Sequence, residues 1–175
     1  MESGADFIRQ GTNRRSVARL TFSERSEKPP MKVQFIGTIG IIVRDRSLGR
    51  RFYASALRLP LVRAKGADFL FTRRLPGSRY FGVWPLSAAA RECFGVERWP
   101  KGRPVPQAFL EFEVASAGRV TTAGRELSAK GYAPVHPPRT DAWGQTVARW
   151  QTDDGLLIAI SHVPWMHRRP RRRRR

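Results

Sequence analysis

Two runs of alternating apolar residues mark the most regular strands that the sequence predicts. The first run covers residues 33–43 and the second covers residues 108–114. A period of two places successive side chains on opposite faces of a sheet. Leu110 and Phe112 therefore face one way, while Glu111 faces the other way.

A helix is predicted after each of these strands. Asp45 and Ser116 are candidate N-caps, because their side-chain oxygens can accept a free backbone N–H of the first turn. The first helix is predicted to reach about Leu57, and the second is predicted to reach Lys130. Gly131 follows at the position where glycine commonly ends a helix.

Shorter strands complete each half of the chain. They are predicted over residues 61–64, 68–72, 79–84, 132–135, 145–152 and 156–161. Residues 153–155, Asp-Asp-Gly, form a tight-turn signal between the last two strands. A short helix over residues 86–93 and a linker over residues 95–106 separate the halves. The fold class is therefore α+β, with one β-α-β-β-β unit repeated.

The last hairpin resembles a known superfamily. Residues 143–145, Trp-Gly-Gln, and residues 153–157, Asp-Asp-Gly-Leu-Leu, are similar to the closing hairpin of the vicinal-oxygen-chelate superfamily. This superfamily includes glyoxalase I, bleomycin resistance proteins and extradiol dioxygenases. Val43-Arg44-Asp45, Phe52-Tyr53 and Leu57-Arg58-Leu59 are similar to its opening strand and first helix.

The resemblance covers roughly residues 33–165. It implies two βαβββ modules, at about 33–94 and 107–165, that form paired cupped mixed sheets, often across a homodimer. The family usually has glycine where this chain has Arg58. A left-handed conformation costs a non-glycine residue about 1 kcal/mol, so we expect this helix to close differently.

The basic residues are distributed unevenly. The formal net charge is +19, and residues 1–31 and 166–175 are predicted to be a disordered basic arm and a disordered Arg-rich tail. The folded segment, residues 32–165, still holds 20 Lys and Arg against 10 Asp and Glu, which favours anionic partners. The tails attract nucleic-acid phosphates without sequence preference, so non-specific nucleic-acid association is one alternative.

The composition also indicates a compartment. No apolar run approaches the roughly 20 residues that span a bilayer, so no membrane partner is expected. A lone cysteine, Cys93, excludes an intrachain disulfide and suits a reducing cytoplasm. We expect a cytoplasmic protein in which Cys93 is a small core or surface hydrophobe.

The resemblance implies four metal-ligand positions, and this chain lacks good ligands there. These positions are Thr38, Phe109, Ala159 and one within residues 79–87, which contain no His, Asp, Glu or Cys. A catalytic divalent ion needs about three protein donors, so no cofactor is predicted. A shift of one or two residues would instead bring in Gln107 or Glu111. The three histidines, His136, His162 and His167, are expected to be ordinary surface residues.

A metal-free protein that binds a small organic molecule in its cavity is the leading prediction. The candidate ligand-binding residues are Thr38, Trp84, Phe109, Glu111, Trp143, Gln145 and Trp150. Aromatic rings offer rigid apolar walls, although each also fits an ordinary core. Trp143 is equally a lid or a structural residue. Gln145 either donates a directional hydrogen bond or caps the loop.

Glu111 and Glu113 are predicted to share the cavity face with Phe109. A carboxylate there binds a cationic group or acts as a general base with a raised pKa. It is alternatively a rim charge paired with Arg44 or Arg149. Glu111 is the candidate catalytic residue of a lyase or isomerase, or of a metal-dependent, dioxygenase-like enzyme in a shifted register. The basic core disfavours a cationic, bleomycin-like ligand, so a neutral or anionic ligand is preferred.

Overall fold

Eight strands and four short helical segments make up the part of the chain that the structure, a computed structural model, describes, residues 31–168. The strands are β1 Val33–Val43, β2 Val62–Arg63, β3 Leu70–Thr72, β4 Tyr80–Pro85, β5 Ala108–Val114, β6 His136–Thr140, β7 Thr146–Gln151 and β8 Leu157–His162. The helices are α1 Arg46–Gly49, which continues as a π-helical segment Arg50–Ala56, then α2 Leu86–Phe94, α3 Ala117–Ala129 and a C-terminal 3-10 helix Pro164–His167.

The strands form one open mixed sheet in the order β2-β3-β4-β1-β5-β8-β7-β6. In each half the first strand pairs in parallel with the last, β1 with β4 and β5 with β8. Antiparallel pairing of β1 with β5 joins the halves. This topology confirms the α+β class and the repeated unit that the sequence pattern predicts.

Helices cover different faces of the sheet. Val114 on β5 packs against Val120 and Ala123 of α3. Phe109 lies on the opposite face by strand parity, and it packs in a second core with Ala89 of α2. We call the face that carries Phe109 the cup face.

Among residues 31–168, no helix is long and apolar enough to cross a membrane.

Two glycines let aromatic rings lie directly on the cup face. A Cβ atom at Gly40 would lie 2.0 Å from the Phe109 ring, and one at Gly82 would lie 2.3 Å from the Phe69 ring. Side chains therefore fill the middle of the cup beside α2.

The position of β6 corrects the sequence prediction. Residues 132–135 were predicted as the strand, but β6 covers His136–Thr140 and includes Pro137 and Pro138. Proline cannot donate to a ladder, so it is tolerated at a sheet edge. Strand β6 is such an edge, because it pairs with β7 alone.

The described structure continues past residue 165, the predicted end of the folded domain. The 3-10 helix extends to His167, and Met166 within it is buried. The basic arm and most of the Arg-rich tail lie outside the described residues, so their predicted disorder stays a prediction.

The first helix begins as predicted and ends differently from the prediction. Asp45 caps it, accepting the N–H of Leu48 at 2.9 Å. Arg58 nevertheless adopts the left-handed conformation, with φ of 53°, that glycine would adopt without strain. The chain bonds back onto the helix on both sides of Arg58, from Leu57 to Phe52 and from Leu59 to Tyr53. These bonds hold the turn despite the side chain.

Replacing Arg58 by glycine should therefore stabilise the protein. We expect Arg58→Gly to raise the free energy of unfolding by about 1 kcal/mol, because the left-handed strain is removed. Urea denaturation measures this. Arg51→Gly is the matched control, since it removes the same charge from an exposed helical position and should cost about 1 kcal/mol. Equal destabilisation by both changes would contradict the strain at Arg58.

Candidate functional site

A row of residues from both modules crosses the cup face. The strand registers place these residues opposite one another, in order from β6 to β4: His136, Arg149, Ala159, Glu111, Thr38 and Tyr80. We call this set the polar row. Glu111, Thr38 and Arg149 within it are buried, so the polar groups depend on one another rather than on solvent.

Ala159 allows an ion pair to form across a strand. Glu111 and Arg149 lie on β5 and β7, with β8 between them. The Ala159 methyl group leaves space above β8, and Arg149 Nη2 lies 3.6 Å from Glu111 Oε1. The side chains of Glu111 and Arg149 are both buried from solvent. This pairing agrees with the predicted rim-charge alternative, in which the carboxylate meets Arg149.

Burial raises the pKa of Glu111. The positive charge of Arg149 opposes this, as do hydrogen bonding from Thr38 and the proximity of Gln145, while the negative charge of Glu113 adds to the rise. Desolvation dominates, so Glu111 takes up a proton more readily than an exposed glutamate does.

Arg149 is enclosed by rings as well as by Glu111. Its guanidinium carbon lies 5.5 Å from the centre of the Trp84 ring. Its Nη1 donates to His136 Nε2 at 3.2 Å, while His136 Nδ1 donates to the Pro137 carbonyl at 2.9 Å. His136 is therefore neutral. Burial, and then the Arg149 charge, lower its pKa. The expectation that His136 is a surface histidine is wrong, because its side chain is buried against Arg149.

Gln145 contributes an unused hydrogen-bond donor. Its side chain is only 1% exposed, and its Nε2 has no hydrogen-bond partner. Gln145 lies close enough to Glu111 to lower that group's pKa, but not in good hydrogen-bond geometry. A buried amide N–H without a partner costs about 1–3 kcal/mol, so an acceptor placed beside Gln145 would be stabilised.

The predicted aromatic residues take different positions. Trp84 and Phe109 contact each other on the cup face, with ring centres 5.4 Å apart. Trp143 lies in the β6–β7 loop and is 54% exposed. Trp150 packs with Val120 of α3 on the opposite face.

The placement of Trp150 corrects its assignment as a cavity wall. Its indole N–H donates to the Tyr132 carbonyl at 3.1 Å. Arg149 points to the cup face, so the next residue on the same strand must point away from it. Trp150 is therefore a core residue.

A tryptophan that the sequence pattern does not predict covers one end of the polar row. Trp165, from the 3-10 helix, donates its indole N–H to the Tyr80 hydroxyl at 3.1 Å. Its ring also contacts Trp143, with centres 5.5 Å apart. The contact joins β4 of the first module to the β6–β7 loop of the second. Its only sequence signal is a tryptophan just after Pro164.

Glu113 shares the cup face with Glu111 and Phe109, as strand parity predicts. Its side chain is fully buried and accepts hydrogen bonds from Ser161 Oγ at 2.5 Å and from the Val163 N–H at 2.8 Å. His167 Nε2 lies 2.9 Å from Glu113 Oε2, the oxygen that also accepts from Val163. Glu113 is thus bound to the end of β8 and the 3-10 helix, not to Arg44 or Arg149.

The family-type metal positions do not fit a divalent ion. Thr38, Phe109 and Ala159 lie on the cup face, and the good metal donors on the polar row are Glu111 and His136, whose Nε2 already accepts from Arg149. A catalytic divalent ion needs about three protein donors, and the polar row supplies fewer than that. Cys93 on α2 is buried, and burial raises its pKa to about 11, which keeps the thiol protonated.

Solved structures share this fold. A variant of Streptomyces coelicolor methylmalonyl-CoA epimerase, in complex with 2-nitronate-propionyl-CoA, matches with a TM-score of 0.52 and 18% identity over 76% of this chain and 99% of that one. The Mycobacterium tuberculosis methylmalonyl-CoA epimerase matches with a TM-score of 0.50 and 19% identity, over 79% and 94%.

A Vibrio splendidus member of the glyoxalase/bleomycin resistance protein/dioxygenase superfamily matches with a TM-score of 0.48 and 13% identity, over 75% of this chain and 100% of that one. No family model matches the sequence, and no curated protein matches it. The epimerases belong to the vicinal-oxygen-chelate superfamily, so the chain has the fold that the resemblance implies.

The raised pKa of Glu111 predicts a pH-dependent stability. The folded state holds this proton at pH values where the unfolded chain has released it. The contribution of Glu111 is therefore fully present below its ordinary value of 4.5 and is lost as pH rises toward the folded value. The difference in unfolding free energy between wild type and Glu111→Gln should fall as pH rises above 4.5. Denaturation at a series of pH values measures it.

A second variant tests the cause. Arg149→Met removes the charge that opposes the shift, so the loss of stability should extend to higher pH. Breaking a buried pair costs about 3–5 kcal/mol. If Arg149→Met does not fold, the wild-type and Glu111→Gln comparison still decides the sign. A difference that grows with pH would contradict the raised pKa.

Proposed function

We propose that this protein binds a small organic molecule on its cup face without a metal ion at the polar row. The observation that carries this proposal is the unpartnered Nε2 of Gln145 beside the buried carboxyl group of Glu111. Buried polar groups in native proteins almost always have partners. A ligand oxygen that accepts from Gln145 satisfies this group and gives the site directionality.

The charges around the row favour a neutral or anionic ligand. Arg149 is positive, and Glu111 binds its proton more readily than usual because it is desolvated. Trp84 and Phe109 provide apolar walls for the carbon skeleton. A small compound with a carboxylate or carbonyl oxygen matches both features.

The filled middle of the cup limits where the ligand enters. Phe109 and Phe69 lie against the strands, and α2 packs beside them. Trp165 covers the Tyr80 end of the row, and Trp143, which contacts Trp165, is 54% exposed. The ligand is therefore proposed to enter beside Trp143, two residues before Gln145 in the β6–β7 loop.

An enzyme of the lyase or isomerase type is the second candidate. The observation that favours it is the pKa of Glu111, which burial raises. A general base works best when its pKa lies near the working pH, and perturbed carboxyl groups concentrate at active sites. In this case Glu111 takes a proton from the bound molecule, and Gln145 holds the oxygen on which charge develops.

Assembly and location complete the proposal. A homodimer is favoured by exposed apolar side chains on the first helical segment and just after it, at Leu48, Phe52 and Leu57. A cytoplasmic location agrees with the single thiol. Nucleic-acid association through the tails stays a prediction, because residues 1–30 and 169–175 lie outside the described part of the chain.

Ligand binding is tested with tryptophan fluorescence, because Trp84, Trp143 and Trp165 surround the row. The full chain is titrated with short mono- and dicarboxylic acids, their amides and methyl ketones, and methylmalonyl-CoA, which one structural neighbour binds. We expect one of these compounds to quench the fluorescence saturably. Gln145→Met should weaken that binding at least tenfold, about 1.4 kcal/mol, because the directional donor is lost.

Gln107→Met is the matched control, since Gln107 is exposed and lies off the row. It should leave the affinity unchanged. Equal affinity of wild type and Gln145→Met would contradict the site. For the enzyme candidate, the bound compound is incubated in D2O. Loss of deuterium uptake in Glu111→Gln with binding retained supports a general base, and no uptake by wild type excludes proton abstraction.

A further inference from the structure

A second polar cluster lies where β5, β8 and the 3-10 helix meet. It contains Glu113, His162 and His167, and one ligand atom of each lies within 4.8 Å of those of the other two. We propose that these three side chains bind a divalent transition-metal ion of the first row. Within residues 31–168, no other group of three His, Cys, Asp or Glu side chains comes together in this way.

Both histidines are oriented as metal ligands usually are. His162 Nδ1 lies 3.0 Å from the Val114 carbonyl oxygen, to which it donates. His167 Nδ1 lies 3.1 Å from Gln34 Oε1, to which it likewise donates. Metal-bound histidine commonly donates its second ring N–H to a carbonyl or carboxylate, which fixes the tautomer. The Nε2 lone pair of His162 is then available to an ion, whereas His167 Nε2 donates to Glu113 Oε2 and releases that proton when an ion binds.

Glu113 supplies a fixed carboxylate. Ser161 and the Val163 N–H hold its two oxygens, and no part of the side chain reaches solvent. His167 Nε2 approaches Oε2 at 2.9 Å. An ion between these atoms replaces their direct hydrogen bond and leaves the other two contacts of Glu113 intact.

The chemistry of the donors selects the kind of ion. Two imidazoles and a carboxylate suit Zn²⁺, Fe²⁺, Co²⁺ or Ni²⁺, whereas Mg²⁺ and Ca²⁺ prefer oxygen ligands alone. Tetrahedral Zn²⁺ at about 2.1 Å from its ligands sets them roughly 3.4 Å apart. The ring centres of His162 and His167 are 4.7 Å apart, and the ligand atoms of the three residues lie within 4.8 Å of one another, so an ion must draw these atoms closer together. Both rings are partly exposed, which leaves a coordination position for water.

This site is separate from the polar row. Glu113 lies one pleat beyond Glu111 on β5, and neither histidine occupies a position that the resemblance implies for a metal ligand. The inference departs from the predictions that no metal binds and that His162 and His167 are ordinary surface residues. It is also independent of ligand binding by Gln145.

The ion would act on the cover of the row. It binds His162 at the end of β8 and His167 in the 3-10 helix. The same helix carries Trp165, which contacts Tyr80 and Trp143. Bound metal therefore holds the tryptophan cover in place from outside the row.

Metal binding is tested on the untagged full chain after treatment with a chelator. Calorimetric titration with Zn²⁺ should show one equivalent per chain, Co²⁺ should give a visible absorption band, and Mg²⁺ should not bind. Zn²⁺ should also raise the midpoint of thermal unfolding, because it binds the folded state.

Substitutions identify the ligands. His167→Gln keeps a donor toward Glu113 but loses the imidazole, and His162→Asn removes the second ring. Each should weaken Zn²⁺ binding at least tenfold while the thermal midpoint without metal shows that the variant folds. Glu97→Gln is the control, because it removes an exposed carboxylate that belongs to neither site, and it should bind Zn²⁺ as wild type does.

Three results would overturn the proposal. One is the absence of stoichiometric Zn²⁺ or Co²⁺ binding to the wild type. Another is unchanged affinity in both His162→Asn and His167→Gln. The third is loss of binding in Glu111→Gln with retention in His167→Gln, which would move the ion to the polar row.

Discussion

The antiparallel pairing of β1 with β5 is the constraint on which the rest of the structure depends. It is the one strand pairing that joins the modules, and its register sets Thr38 opposite Glu111. The parallel partners β4 and β8 then extend the row outward on both sides. A slip of one residue in this pairing would turn the polar side chains to the opposite face, so one register fixes both the shared core and the candidate site.

Two glutamates on one strand show how neighbours decide what a carboxylate does. Glu113 is held by Ser161 and the Val163 N–H, so its burial is compensated by hydrogen bonds. Glu111 has a longer ion pair with Arg149 and an imperfectly placed Gln145, so desolvation dominates and raises its pKa. A buried ion pair contributes little net stability, which leaves Glu111 better suited to binding or proton transfer than to holding the fold together.

The C-terminal segment connects both candidate sites. Its 3-10 helix directs His167 toward Glu113 and carries Trp165, which donates to Tyr80 at one end of the polar row. The small side chain of Ala159 has a comparable role inside the sheet, because it lets Arg149 reach across β8. Short-range geometry at these few positions brings groups from both modules onto one surface.

Local sequence patterns determined the face that strand residues take, the start of the first helix and the position of the last turn. Alternation placed Phe109, Glu111 and Glu113 on one face, Asp45 marked the start of the first helix, and Asp153-Asp154-Gly155 marked the last turn. These features depend on residues close together in the chain, whose backbone geometry is set locally. The hairpin and first-helix motifs together indicated the fold.

Only the tertiary structure decided which of those residues meet. Strand parity says which face a side chain takes but not which strand lies beside it, so the contacts of Arg149 with Glu111 and His136 followed from the register of β5, β8, β7 and β6. The same parity, once Arg149 was placed, turned Trp150 to the helix side. The two prolines of β6 fit because β6 is an edge, and the cluster of Glu113, His162 and His167 forms because the chain folds back after β8. Each of these outcomes depends on pairing between segments distant in sequence, which local residue patterns do not encode.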